Sequence, residues 1–325
     1  MSKTAKVATT AGAFVAAGVV ATLLNGRQRT HRRLRRGEEV EFGSVHSDPI
    51  TLTATDGVKL NVEVDEAERK TPTVVFVHGW VESMDLWHYQ RLALRGSVRM
   101  VFVDMRSHGH SGRSHADNSS IPQLADDLRT VITELAPRAP LVLVGHSMGG
   151  MAIMELAGAD AALFKKRVKG VVLIATSSGK LMRSSPGFKR IVPLVRVAAP
   201  VLDWGRAFNS YSIVRRWAVG PNALERHVDM TNELILQSPT HVLMDFYPNF
   251  LTLDLTPGLG ALGTAKTVIV GGTKDMITPI KHSRVLADLI PNATLVAVED
   301  AGHMVVFEEH ERVTKVIEDL VESIR

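Results

Sequence analysis

Leu141-Val142-Leu143-Val144 runs without a spacer into Gly145-His146-Ser147-Met148-Gly149-Gly150, and residues 151 to 158 continue in a helical pattern. Strand, sharp turn and helix therefore meet at one serine in the spacing G-x-S-x-G. A side chain at 145 or 149 would collide with neighbouring backbone in so tight a turn, and the turn pushes the serine hydroxyl out above a sheet edge. The helix starting there aims free amides and its positive end at negative charge forming beside the serine. The bland alternative, a glycine-rich turn of no further meaning, does not account for the strand and helix patterns on either side.

The rest of the body has the rhythm such a turn requires. Short runs rich in Val and Ile recur at residues 73 to 77, 98 to 103, 140 to 144, 168 to 174, 266 to 270 and 294 to 298, with helical stretches between them. That alternation predicts parallel strands joined by crossover helices. Residues 50 to 55 and 58 to 64 flank Asp56-Gly57 and read as a hairpin at the sheet edge. Ser119-Ser120 can cap a helix to about Ala136, with Leu124, Leu128, Val131, Ile132 and Leu135 on one face. From Lys180 to Leu262 no clear strand appears and seven of the fourteen prolines occur, so short interrupted helices are expected there, folded as a cap over the strand ends. Four segments result: 1–39, an amino-terminal tail; 40–179 and 263–325, the two parts of the core; and 180–262, the cap.

A serine hydroxyl is a poor nucleophile at neutral pH and needs a base, which in turn needs an orienting carboxylate. The strand Thr267-Val268-Ile269-Val270 ends in Gly271-Gly272-Thr273-Lys274-Asp275, and the strand 294 to 298 leads through Glu299-Asp300-Ala301-Gly302 to His303. Both polar groups follow the carboxyl end of a strand, the edge from which Ser147 should emerge. Asp275 and His303 are therefore the expected acid and base. Asp254 and His282 follow no strand-like run and read as cap or helix positions. For the oxyanion, the amides of Met148 and of Trp80, in His78-Gly79-Trp80 after the strand 73 to 77, are the expected donors. Trp80, His146 and Met148 are expected to line the substrate site, and Trp80, Trp87, Trp204 and Trp217 to lie near the pocket or in the cap, which favours lipophilic substrates.

In order and spacing, His78-Gly79-Trp80, Asp104-Met105-Arg106-Ser107-His108-Gly109-His110-Ser111, Gly145 to Gly150, Gly272-x-x-Asp275-x-x-x-Pro279 and Gly302-His303 resemble the α/β-hydrolase superfamily, in its esterase and lipase branch. That branch includes monoacylglycerol lipases and cofactor-free haloperoxidases. The resemblance covers roughly residues 50 to 325. It implies a mostly parallel eight-stranded sheet flanked by helices, a helical cap, a Ser147, His303 and Asp275 triad, and no cofactor. Ser107 departs from the pattern, which usually has glycine there. Asp104 and Arg106 are expected to be structural partners, and the histidines at 108, 110 and 115 are not spaced as a metal helix.

The charge is unevenly distributed. Residues 1 to 39 hold eight Lys or Arg against two Glu, and since the chain is +4 overall, residues 40 to 325 sum to −2. A nucleic-acid partner would need a basic face on the folded body, which this leaves unsupported. Val7 to Leu24 carries no charge and is long enough as a helix to nearly span a bilayer core, with Arg27, Arg29, Arg32, Arg33, Arg35 and Arg36 directly behind it. A single-pass anchor with the body on the cytoplasmic side is expected; a cleaved signal peptide, a surface helix or a basic tail are the rivals. There is no cysteine, which excludes disulfides, thiol nucleophiles and cysteine-bound metal.

The expected chemistry is hydrolysis of carboxylic esters, lipophilic acyl esters above all, through an acyl-enzyme. Serine in place of aspartate disfavours alkyl-enzyme chemistry of the epoxide hydrolase or dehalogenase kind. An acyltransferase or perhydrolase would share every motif, and a non-catalytic membrane-associated binding protein is the alternative of a different class.

Overall fold

The computed structural model describes residues 40–69, 71–115, 118–181 and 210–324. Eight strands form one sheet: β1 (Pro49–Thr53), β2 (Lys59–Asp65), β3 (Thr73–Val77), β4 (Arg99–Val103), β5 (Leu141–His146), β6 (Val168–Ile174), β7 (Lys266–Gly272) and β8 (Thr294–Val298). Their spatial order is β1-β2-β4-β3-β5-β6-β7-β8. β1 and β2 pair antiparallel as the expected hairpin, β2 pairs antiparallel with β4, and every pairing from β4 onward is parallel.

Among the described residues the α-helices include, in chain order, α1 (His88–Leu94), α2 (Ile121–Leu135), α3 (Met148–Ala159), α4 (Ala161–Arg167), α5 (Glu225–Gln237), α6 (Thr240–Phe246), α7 (Asn249–Thr252), α8 (Ile280–Leu289), α9 (Val305–Glu308) and α10 (His310–Glu322), and residues 210–217 are helical as well. The Ser120 hydroxyl accepts from the Gln123 amide at the start of α2, and Leu124, Leu128, Val131 and Ile132 are the buried face, as the sequence pattern requires.

Both faces of the sheet are covered, so the central strands are buried throughout rather than alternating in exposure. Alternation survives as a choice of layer. Val75, Val77, Leu141 and Leu143 enter one apolar cluster with α2, α3 and α4, while Val74, Phe76, Val142 and Val144 enter the other with α1 and α10. In the second layer Phe76 stacks on Phe102 at 4.8 Å and meets Trp87 at 5.0 Å. Trp87, expected near the pocket, is 0% exposed and belongs to this core. Its neighbours in that layer are hydrophobic, and burial of its large ring outweighs any role at the site.

Between β6 and β7 the described residues 210–264 contain helices and no strand. The 3₁₀ stretch Thr256–Thr264 packs on α3 where Gly158 and Gly258 meet; a Cβ on Gly258 would lie 2.7 Å from the Gly158 Cα. α7 is tied to the loop before α2: Asn249 donates to the Ser119 carbonyl at 2.8 Å. Phe246 and Phe250 lie against His108 and Trp80, on the loops after β4 and β3, so this insertion rests on the carboxyl ends of the strands. Residues 182–209, the greater part of the basic, apolar-interleaved stretch 180–216 with Trp204, lie outside the described residues, as does the segment 7–24 with its arginine run. Among the described residues no helix is long and apolar enough to cross a membrane.

Candidate active site

Ser147 sits between β5 and α3 with φ 49° and ψ −115°, a strained conformation for a residue with a side chain. The strain is held from both sides: the Ser147 amide donates to the Ile174 carbonyl at 2.9 Å, and Thr176 Oγ1 donates to the Ser147 carbonyl at 2.6 Å. The flanking glycines are required by contact. A Cβ on Gly149 would lie 2.2 Å from the Val77 carbonyl oxygen, and one on Gly145 would lie 2.7 Å from the Gly150 nitrogen.

Asp275 and His303 meet across the loops after β7 and β8. His303 Nδ1 lies 2.9 Å from Asp275 Oδ2, and both are buried. Asp275 Oδ1 accepts the amides of Ile277 and Thr278 at 2.7 and 2.8 Å, while Oδ2 also accepts Thr278 Oγ1 at 2.8 Å. Burial pushes the Asp275 carboxyl up, but the His303 imidazole and the bonds from Thr278 outweigh it and hold it below the ordinary carboxylate value. An ionised Asp275 accepts from Nδ1–H, which leaves the lone pair of a neutral imidazole on Nε2. Thr278 Oγ1 also lies 2.8 Å from the Ala175 carbonyl oxygen, so that its one proton is shared between the two acceptors and ties this pair to the end of β6 beside the serine turn. Ser147 Oγ has no hydrogen-bond partner among the described residues; its relation to His303 is a shared sheet edge, and in unliganded sites such bonds commonly tighten only with substrate.

The amides of Trp80 and Met148, the expected oxyanion donors, make no hydrogen bond to another described residue. Met148 is fully buried with its side chain in the core, so that side chain does not line the substrate site as expected. The Trp80 ring is partly exposed and packs 5.0 Å from Phe250 and 6.4 Å from Tyr247. His146 does not fit the substrate contact expected of it. It is 0% exposed and both ring nitrogens are engaged, Nδ1 with Glu82 at 3.0 Å and Nε2 with the His303 carbonyl at 3.0 Å.

The rival pair, Asp254 and His282, lines one surface cavity, but no hydrogen bond joins the two: Asp254 is exposed and accepts the Thr256 amide at 3.1 Å, and His282 Nδ1 lies 2.8 Å from Ser177 Oγ. Asp104 and Arg106 hold the loop after β4 as expected. Asp104 accepts the Met84 and His110 amides at 2.8 and 2.9 Å, and buried Arg106 forks onto Asp127 with both bonds at 2.6 Å. Ser107, which stands where the related pattern has glycine, adopts φ 67°, the left-handed region that explains the usual residue. Among the described residues no group of three or more His, Asp or Glu is placed to hold a metal ion.

Three supporting residues escaped the sequence reading: Glu82, Thr278 and Glu308. Glu308 accepts the Gly302 amide at 2.9 Å and the Gly220 amide at 2.7 Å, clamping the residue before His303 to the chain that crosses over it. Burial pushes its carboxyl up to about 7 against the pull of those two amides. Thr278 lies inside the Asp275-x-x-x-Pro279 spacing, which is the local signal for it; nothing local distinguishes the two glutamates.

This topology, with a strained serine between β5 and α3 and a histidine after the last strand, defines an α/β hydrolase. The model of the alpha/beta hydrolase fold family matches residues 72–310, and the chain belongs to that family. Among its relatives are mouse monoacylglycerol lipase ABHD6, 24% identical over 266 residues that make up 78% of this chain and 76% of the relative, and the dihydrolipoyllysine-residue acetyltransferase component of an acetoin cleaving system from Pseudomonas putida. The second is 25% identical over 255 residues, 76% of this chain but only 62% of the relative's length. A thermophilic esterase from Thermogutta terrifontis shares the fold with a TM-score of 0.71 at 22% identity, covering 86% of this chain and 99% of the esterase.

Proposed function

We propose that the chain is a serine hydrolase of carboxylic esters. The observation that carries the reading is the buried Asp275–His303 pair, placed at the sheet edge that also holds Ser147 in its strained turn. His303 Nε2 takes the Ser147 proton as Oγ attacks the ester carbonyl, and Asp275 stabilises the imidazolium that forms. The amides of Trp80 and Met148 receive the developing oxyanion. His303 then returns the proton to the departing alkoxide, leaving the acyl-enzyme. Water attacks it, giving up its proton to His303, and the acid leaves as Ser147 regains its hydrogen.

The aromatic set Trp80, Tyr247 and Phe250, and the exposed Met276 and Ile277 directly after Asp275, support lipophilic acyl esters as the substrate class. Monoacylglycerols belong to that class, in keeping with the name of the lipase relative. In this reading residues 180–262 are a cap between the core parts 40–179 and 263–325, with Trp217, 49% exposed, on it. Residues 1–39 are a single-pass anchor and basic linker, with the body on the cytoplasmic side. Fluorophosphonate labelling of separated membrane and soluble fractions tests nucleophile and anchor together. Labelling lost in Ser147→Ala supports the hydrolase, and labelling confined to the soluble fraction overturns the anchor. A chain-length series of p-nitrophenyl esters tests the substrate class; acetyl cleaved far better than octanoyl would overturn it.

A second reading, acyl transfer to an alcohol in place of water, or to peroxide, uses the same steps up to the acyl-enzyme, and the acetyltransferase relative supports it. Product analysis with a competing alcohol separates the two. The intact Ser147, His303 and Asp275 argue against a non-catalytic binding protein, and failure of the wild type to label would favour it.

A further inference from the structure

The edge that holds Asp275 and His303 carries a second carboxylate–imidazole pair, closed to solvent. Glu82, in the loop after β3, is 5% exposed, and His146 is the last residue of β5. Glu82 Oε2 lies 3.0 Å from His146 Nδ1 and accepts the Gly79 amide at 2.5 Å. His146 Nε2 lies 3.0 Å from the His303 carbonyl oxygen. A carbonyl oxygen only accepts, so Nε2 carries a proton; an ionised carboxylate only accepts, so Nδ1 carries one too. Both ring nitrogens donate only in the imidazolium.

The surrounding electrostatics agree with the geometry. Burial pushes the His146 imidazole down, yet the Glu82 carboxylate and the His303 carbonyl hold it above its ordinary value. Burial pushes Glu82 up, yet His146 first, then His303 and His78, hold it below its ordinary value. The titratable groups facing the pair are His78 from the loop after β3, Asp275 from that after β7 and His303 from that after β8.

We propose that Glu82 and His146 are an ionised, buried pair of positioning residues that lock two separate parts of the reaction centre to each other. Resting on the hydrolase reading, the role is specific. Through the Gly79 amide, Glu82 fixes the loop that continues into Trp80 and then into Val81, which is held at φ 58°. A β-branched residue keeps that conformation only where its surroundings impose it. Through the His303 carbonyl, His146 fixes the backbone from which the imidazole of the base projects. One carboxylate and one ring thus set the distance between the oxyanion donor and the proton acceptor. A buried pair is weak evidence for stability but well suited to fixing geometry.

The test uses the full 325-residue chain labelled with ¹⁵N-histidine. At pH 8 an ordinary histidine is neutral. Long-range ¹H–¹⁵N correlation should show His146, assigned by its loss in His146→Gln, protonated on both ring nitrogens in the wild type and on one in Glu82→Gln. His46, held up at about 9 by Asp85 and Glu63 despite its partial burial, serves as the reference imidazolium. In parallel, Glu82→Gln and His146→Gln should lower kcat on a p-nitrophenyl ester about 10- to 100-fold, with KM within about 2-fold, as expected for misplaced rather than missing groups. Fluorophosphonate labelling should slow in proportion. A neutral His146 in the wild type overturns the proposal whether or not the variants fold, and so do folded variants that react at the wild-type rate. A wild type that shows the imidazolium but neither labels nor turns over sinks the hydrolase reading instead, and the positioning role with it.

Discussion

Asp275 reaches His303 with one carboxylate oxygen while the other is taken by the backbone: Oδ2 lies 2.9 Å from His303 Nδ1, and Oδ1 accepts the amides of Ile277 and Thr278. The carboxylate is oriented before any substrate arrives, and its negative charge is what fixes the tautomer of the ring. Asp275→Asn keeps the shape but offers an amide N–H where Nδ1–H needs an acceptor. The expected loss in kcat is about 10⁴-fold with little change in KM, measured by steady-state hydrolysis of a p-nitrophenyl ester. A loss under tenfold would show that Asp275 is not the orienting group.

Ser147 carries both the proposed chemistry and backbone strain. Ser147→Ala should lower kcat by on the order of 10⁶-fold if serine, histidine and aspartate act as a unit. Ser147→Gly should be equally inactive yet more stable than Ser147→Ala by about 1 kcal/mol, because glycine adopts a positive φ without the clash that any Cβ brings. Urea denaturation of the two variants decides; equal midpoints would mean the turn is not strained.

Gly149→Ala places a methyl group against backbone that cannot step aside, 2.2 Å from the Val77 carbonyl oxygen and 2.5 Å from that of His78. The expected cost is about 3 kcal/mol or more, with loss of fluorophosphonate labelling as β3 and α3 are driven apart. Retention of both stability and labelling would contradict the packing at the turn.

Glu308 gives stability a pH dependence of definite sign. Its carboxyl titrates near 7 in the folded protein, above its ordinary 4.5, so the folded state binds this proton more tightly than the unfolded chain does. The contribution is fully present below about pH 4.5 and is lost as the pH rises through 7. Relative to Glu308→Gln, whose side chain does not titrate, the wild type should lose on the order of 2 kcal/mol between pH 4.5 and 8. Denaturant unfolding of both proteins at the two pH values measures it, and parallel curves would refute the assignment.

The serine turn was legible from residues 141 to 150 because each requirement is local: a strand, two glycines that backbone contact forces, and a helix. Asp275 and His303 were legible at one remove, since the end of a strand in an α/β sheet is a place in space as well as in sequence, and the structure joins them. The helix Ile121–Leu135 and the Asp104 and Arg106 anchors could be read for similar reasons, from a cap, a period and a motif.

Sequence by itself thus determined which elements form, and which polar side chains the strands carry to a common edge. It did not determine which of those side chains would be sealed inside. Trp87 read as a pocket residue and is core, and His146 read as a substrate contact and is closed behind Glu82. Glu82 and His146 are 64 positions apart, and Glu308 and Gly220 are 88 apart. Those pairs meet because the sheet order sets β3 beside β5, and because the chain after β6 crosses the loop that follows β8. Whether a carboxylate stays ionised depends on the water it loses and the donors it gains, and both are set only when distant loops close on it.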